Sequence, residues 1–306
     1  MEHCVFIHTN HKQMLGALVA QYALRCNSKH SKNFAVRIID AKDYPFLTEH
    51  EGKTYLRDRV KRVWLNDDLQ SFTPLRFLPP SLMGYRGRAV VIDPDVFAVG
   101  DIWELLSRDM HGKAIVCRPK DARSRKGKQG CLATSVMLLD CARLTHWRVE
   151  QQFEEMFQFK RDYMDWICLK LEPRETIGLF ENEWNDLDHL TDKTKLLHNT
   201  KRKTQPWKTG LPVDFRPPET FSLFPPKGWI KRTRRTLFGE YGLLGHYKSH
   251  PDPNQERFFF GLLKDALDQG VIAEEFVREE MRKKHVRHDA FQIIERMAAP
   301  RKASLA

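Results

Sequence analysis

The first forty residues constrain the fold more than any other stretch. Residues 3–9, HCVFIHT, are a short, largely apolar run that turns polar at His8, Thr9 and Asn10, as a buried strand does where it meets a loop. Leu15, Leu18, Val19, Tyr22 and Cys26 then recur at spacings of three and four, which predicts a helix over 11–27 with one buried face. Residues 34–40, FAVRIID, predict a second strand ending in Asp40. Strand, helix and strand in this order make a βαβ unit with a parallel sheet, whose ligands sit at the carboxyl ends of the strands. His8, Thr9, Asn10 and Asp40 all fall at those ends.

Further strands are expected over 88–93, 113–118, 131–140 and 194–198, a short helix over 100–106, and amphipathic helices over 146–171 and 254–297. In Thr73-Pro74-Leu75-Arg76-Phe77-Leu78-Pro79-Pro80, Pro74 suits a first helical turn and the proline pair is expected to stop it. Residues 48–70 read as a charged stretch, and 119–130, with five Lys or Arg and two glycines, as a mobile basic loop. From Pro206 to Pro226 six prolines punctuate the chain, and a basic stretch runs from Lys227 to Arg235. A soft boundary is therefore expected near residue 210.

Composition narrows the class. The chain has 306 residues, 41% apolar and 30% charged, with mean hydropathy −0.55. Collagen-like, disordered and membrane-spanning chains are thereby excluded, and no apolar run approaches the roughly 18 to 20 residues a bilayer span needs. Lys and Arg number 51 against 40 Asp and Glu, a net charge of +11 that points to anionic partners. The six cysteines (Cys4, Cys26, Cys117, Cys131, Cys141, Cys168) are scattered without a CxxC pair, so a reducing compartment is the simpler expectation. Met1-Glu2-His3-Cys4 leads straight into apolar residues without a leader pattern. The expected location is the cytoplasm, at most peripheral at the inner face of a membrane.

The motif with most chemistry is Val90-Val91-Ile92-Asp93-Pro94-Asp95, an apolar strand ending in two carboxylates two residues apart. At period two both lean to one side, where they could share a hard divalent cation. A solvated Asp-Pro-Asp turn is the plain alternative.

The surrounding order resembles the family-8 glycosyltransferases, the group of glycogenin-like enzymes and bacterial lipopolysaccharide galactosyl- and glucosyltransferases. The resemblance is carried by Thr73, Arg76 and Phe77, then Ile92-Asp93-Pro94-Asp95-Val96, then Val99-Gly100-Asp101-Ile102-Trp103-Glu104-Leu105. Ser135-Val136-Met137-Leu138-Leu139-Asp140 and Leu196-Leu197-His198 with Gln205-Pro206-Trp207-Lys208 extend it, so that it covers roughly 3–210. It implies an α/β GT-A fold over 1–210, a nucleotide-binding, mostly parallel sheet flanked by helices, with a helical, basic extension over 211–306. It also implies transfer of a hexose from a UDP-sugar to a hydroxyl acceptor with retention at the anomeric carbon. By the same resemblance Asp93, Asp95 and His198 would hold Mn²⁺, with Mg²⁺ as the alternative; His8, Thr9, Asn10, Asp40 and Arg76 would hold the nucleotide. Asp165 would lie below the donor sugar, as a nucleophile or an orienting group.

The chain departs from the family pattern at three places. Ala133 stands for its usual Asn, Ser135 for its Gly and Gln205 for the Lys before Pro-Trp. The cation for the diphosphate would then come from Lys201, Arg202, Lys203 or Lys208. Trp229, Ile230, Leu237 and Phe238 interleave with basic residues, which suits an anionic lipid surface and hence a lipid-linked or other carbohydrate acceptor. Nucleic acid is not expected, for no zinc finger, RRM signature or basic heptad region is present. Two other readings stand beside this one. A nucleotidyltransferase would need a Gly-rich loop where His8-Thr9-Asn10-His11 stands, and a noncatalytic basic binding protein would use a degenerate core of the same fold.

Overall fold

The fold is built on β1 (His3–Thr9) and β2 (Ala35–Asp40), which pair in parallel with Thr9 beside Asp40 and with α1 (Met14–Cys26) crossing between them. A 3₁₀ turn over His11–Gln13 opens that crossing, capped by the Asn10 side chain, which accepts from the Lys12 amide at 3.1 Å. The computed structural model describes residues 2–68, 70–119, 131–201, 203–215, 219–220 and 245–298. The basic residues 120–130, Arg202 and the stretch from Lys227 to Arg235 lie outside the described residues.

The charged stretch after β2 holds a hairpin of β3 (Thr54–Arg57) and β4 (Val60–Val63), which turns through Asp58 and Arg59, both at positive φ. The segment Thr73–Phe77 is a 3₁₀ turn, and α2 (Pro79–Leu82) follows it. The proline pair thus opens a helix instead of ending one, because the first helical turn has no use for the missing N–H groups. Next come β5 (Arg88–Ile92), β6 (Val96–Ala98), α3 (Trp103–Leu106), β7 (Ile115–Pro119) and β8 (Leu132–Asp140). The expected 146–171 helix is two, α4 (Val149–Phe157) and α5 (Tyr163–Ile167), separated at Phe159 by a positive φ. Three short strands follow, β9 (Ile177–Leu179), β10 (Asp186–Leu187) and β11 (Leu196–His198), and then β12 (Glu219–Thr220). The chain closes with α6 (Pro253–Asp268), α7 (Glu274–Arg282) and α8 (Ala290–Ala298).

The central sheet has the order β2-β1-β5-β8-β7-β9, and in it β8 alone runs against the others. It is a mixed α/β sheet, mostly parallel and flanked by helices. Val90, Val91 and Ile92 of β5 are wholly buried, as a strand covered on both faces requires. β11 runs antiparallel to β6 in a second sheet and sets His198 opposite Val96.

Helices α6 to α8 share the hydrophobic core of the sheet through Phe259, Phe260, Val277 and Ile293. Trp207, from the Pro-Trp segment, stacks on Phe259 with ring centroids 4.8 Å apart and meets Phe97 of β6 edge-on at 5.9 Å. The same indole packs on Gly16 of α1. A Cβ there would lie 2.5 Å from the Pro94 carbonyl oxygen and 3.1 Å from Trp207 Cζ2, so only glycine lets α1 sit against the Asp-Pro-Asp turn.

One cysteine pair bears on the expectation of a reducing compartment. Cys131 at the start of β8 and Cys168 just after α5 are joined by a disulfide, while Cys4, Cys26, Cys117 and Cys141 are free. No sequence motif marks the pair, because β8 and α5 meet only in the fold. Among the described residues no helix is long and apolar enough to cross a membrane.

Candidate active site

Strand register assembles the site. The parallel pairing of β1 with β5 sets Ile7 beside Ile92, which brings His8 and Asp93 level at the carboxyl ends. The Asp93 amide donates to the Ser135 carbonyl of β8 at 3.0 Å, and the Val96 amide donates back to Asp93 at 3.2 Å, closing a turn with Pro94 and Asp95 inside it. The Asn199 amide donates to the Asp95 carbonyl at 3.0 Å, tying β11 to the same turn. Residues more than a hundred positions apart thus converge. One ligand atom from each of Asp93, Asp95 and His198 lies within 4.8 Å of the other two.

Each of the three is fixed differently. Arg76 holds Asp93 with two parallel hydrogen bonds, Nε donating to Oδ1 at 2.9 Å and Nη2 to Oδ2, and His8 Nε2 donates to Oδ1 at 2.7 Å. Burial alone would raise the Asp93 carboxyl; the Arg76 charge and the His8 hydrogen bond outweigh it and hold the group well below the usual carboxylate range. Burial lowers the His8 imidazole below its ordinary value despite Asp93. Asp95 accepts from Gln205 Nε2 at 3.2 Å, and Gln205 in turn accepts from Gln13 Nε2 at 3.2 Å. His198 Nε2 lies 3.4 Å from Asp95 Oδ1, and its Nδ1 lies 2.9 Å from Asn185 Oδ1. Burial would lower this imidazole, but the charge and hydrogen bond of Asp95, with Asp93 behind it, raise it above its ordinary value.

Two carboxylates and one imidazole with a ring nitrogen facing the carboxylates form a donor set suited to a hard or borderline divalent cation such as Mn²⁺ or Mg²⁺. The residues present therefore fit such an ion.

The other expected site residues occupy distinct places. Thr9 and Asp40 are buried side by side at the strand ends; Thr9 Oγ1 donates to the Asn10 carbonyl at 3.3 Å, and Asp40 pairs with Lys42 at 3.1 Å. Arg76 and His8 are turned onto Asp93, and Arg76 Nη1 also reaches Thr134 Oγ1 at 3.0 Å. His8 Nδ1 is buried and has no hydrogen-bond partner among the described residues. Asp165, in the first turn of α5, is paired with Arg59 at 2.7 Å and Lys170 at 3.5 Å. Lys208 is wholly buried and paired with Asp214, whose other oxygen accepts from Tyr247 at 2.5 Å. Lys208 is thus committed to fixing the segment after Trp207. Lys203 is exposed, with its carbonyl accepting from the Lys248 amide at 2.7 Å.

Sequence reasoning missed Asn185, Gln13 and Thr134, and gave Ser135 no part beyond a departure from pattern. Asn185 sits in Glu-Asn-Glu-Trp-Asn-Asp, a polar run without periodicity, and its partners lie 13 and 50 positions away. Only the packed structure reveals it.

No protein-family model matches the chain, and no curated protein sequence matches it. Solved structures similar to it are glycosyltransferases. GlyE of Streptococcus pneumoniae TIGR4 in its apo form is 14% identical over 68% of this chain and 56% of its own, with a TM-score of 0.47. The bifunctional WbbM, also apo, is 12% identical over 68% of this chain and 47% of its own, again with a TM-score of 0.47. The galactosyltransferase LgtC, in complex with donor and acceptor sugar analogues, is 10% identical over 67% of this chain and 89% of its own, at 0.46. The chain spans about half the length of the first two.

Proposed function

We propose that the chain is a metal-dependent glycosyltransferase that moves a hexose from a UDP-sugar to a hydroxyl acceptor, with retention at the anomeric carbon. The observation that carries this reading is the convergence of Asp93 after β5 and Asp95 before β6 with His198 at the end of β11, beside the first βαβ unit. Those three residues would hold Mn²⁺ or Mg²⁺. When bound, such an ion supplies positive charge against the donor diphosphate and the charge that builds on departing UDP.

The chain's own residues divide the remaining work. Thr9, Asn10 and Asp40 edge the crevice where uracil and ribose would lie. Arg76 orients Asp93 and adds a fixed positive charge beside it. Asp165, paired with Arg59 and Lys170, would orient sugar hydroxyls or stabilise positive charge at the anomeric carbon. Lys201 and Lys203 are the exposed candidates for the diphosphate among the described residues; Lys208 would act only through the segment it anchors. The acceptor is a carbohydrate or lipid-linked hydroxyl, and the proposed location is the cytoplasm, at most peripheral at the inner face of the membrane. Against that location stands the Cys131–Cys168 bond, which an oxidising environment favours.

The test is release of UDP from a panel of UDP-hexoses with Mn²⁺, and its loss in Asp95→Ala with the fold intact. A second reading, a noncatalytic basic binding protein for an anionic polymer, is favoured by Gln205, a neutral amide where the resemblance calls for a cation. Salt-sensitive binding of heparin without any binding of UDP would support it.

A further inference from the structure

His198 does not stand alone on its strand end. Its Nδ1 lies 2.9 Å from Asn185 Oδ1, and the Asn185 amide nitrogen donates to Ser135 Oγ at 2.9 Å. Asn185 is wholly buried, and its backbone carbonyl accepts from Arg118 Nη1 at 2.6 Å, so the residue is anchored through its backbone as well as its side chain. Ser135 belongs to β8, whose carbonyl at that same residue receives the Asp93 amide. One residue of the central sheet therefore touches both sides of the candidate metal site, Asp93 through its backbone and His198 through Asn185.

An amide oxygen facing Nδ1 has one consequence for the imidazole. Oδ1 can only accept, so Nδ1 keeps its proton, and Nε2, beside Asp95 and Asp93, is the nitrogen that gives its proton up to a cation. Had the amide nitrogen faced the ring, Nδ1 would have to accept and Nε2 would carry the proton, closing the ring to a cation.

We infer that Asn185, braced by Ser135, is a positioning residue that fixes His198 in the Nδ1–H tautomer and so keeps Nε2 open as a metal ligand. The inference rests on the metal site of the proposed function and deepens it. Hydrogen-bond partners of this kind change metal affinity by about 10 to 100-fold when removed. It also gives Ser135 a task, since glycine at that position would leave the amide nitrogen of Asn185 without its partner.

The experiment is a Mn²⁺ titration, read by the electron paramagnetic resonance signal of the free ion, on the whole protein and on Asn185→Leu and Asn185→Asp. Asn185→Leu is expected to bind Mn²⁺ about 10 to 100-fold more weakly, and Asn185→Asp, which keeps an acceptor against Nδ1, to bind within a few-fold of the parent. Equal affinity in Asn185→Leu and the parent would overturn the inference while leaving the metal site standing. Absence of Mn²⁺ binding in the parent would overturn both. Should Asn185→Leu fail to fold, the ¹⁵N shifts of the His198 ring in the parent, free of metal and well above neutral pH, decide: protonated Nδ1 supports the inference and protonated Nε2 overturns it.

Discussion

Arg76 grips both carboxylate oxygens of Asp93, and the pair is almost closed to solvent, with side chains 14% and 13% exposed. A buried carboxylate held in this way depends on its partner. Removing one member of a buried pair typically costs about 3 to 5 kcal/mol, because the other charge stays buried without compensation. Arg76→Met is expected to lose stability on that scale in urea denaturation at neutral pH. The pH dependence has a fixed sign. The Asp93 carboxyl in the fold lies below its unfolded value of about 3.9, so its contribution is complete above that value and is lost as the pH falls through the folded one. In Arg76→Met the folded carboxyl moves back toward its unfolded value, so this acid-dependent loss of stability should shrink.

His198 gives the opposite slope. Its imidazole is raised in the fold by Asp95, against the lowering effect of burial. The stability it adds to the metal-free protein is complete below about pH 6.5 and is lost as the pH rises through the raised value. A cation at Nε2 competes with the same proton, so Mn²⁺ affinity should climb over the window in which metal-free stability declines. Titrations of Mn²⁺ between pH 6 and 9, with urea melts in EDTA over the same range, check both slopes. Affinity independent of pH would contradict the assignment of His198 as a ligand.

Gly16 links helix packing to the site. Alanine normally favours a helix interior over glycine by about 1 kcal/mol. Here the added Cβ would meet the Pro94 carbonyl oxygen at 2.5 Å, and either α1 or the Asp-Pro-Asp turn must shift. Gly16→Ala is expected to cost about 1 to 3 kcal/mol in thermal or urea unfolding, the range for overpacking, and to weaken Mn²⁺ binding through the displaced turn. A more stable Gly16→Ala protein would refute the packing argument.

The cysteine pairing is directly countable. Denatured without reductant, the protein should titrate four thiols, from Cys4, Cys26, Cys117 and Cys141, and two more after reduction. The cross-link closes a sequence separation of 37 residues, for which the chain-entropy account gives about 3 to 4 kcal/mol. Cys131→Ser should lower stability on that scale in non-reducing buffer and match the parent once both are reduced. Six thiols before reduction would contradict the pairing.

How much of this was legible in the sequence depends on the range of each interaction. The opening βαβ unit shows in local periodicity, since strands and helix are each specified within a dozen residues and buried on predictable faces. β5 and its terminal carboxylates show for the same reason. The β3–β4 hairpin did not, because TYLR and VKRV are short and charged and the turn uses Asp58-Arg59, which carries no glycine signal. Pro79 and Pro80 as a pair suggest a stop, yet they sit in the first turn of α2, where proline is a start. Asp93, Asp95 and His198 were nominated as a set through the resemblance, and the strand register brings them together; the residues that hold them were not. His8 on Asp93, Gln13 on Gln205 and Asn185 on His198 span 85, 192 and 13 positions, and no spacing rule encodes such pairs. Lys208 shows the reverse case, a cation expected at a diphosphate that is instead folded into a buried pair with Asp214.

The most direct test of the central claim is calorimetric titration of UDP into the purified protein with Mn²⁺, with EDTA, and on Asp95→Ala with Mn²⁺. Binding that requires both the metal and Asp95 is the predicted result. No binding in any of the three conditions, or equal binding in all of them, would contradict the assignment of Asp93, Asp95 and His198 as the metal site of a sugar-nucleotide enzyme.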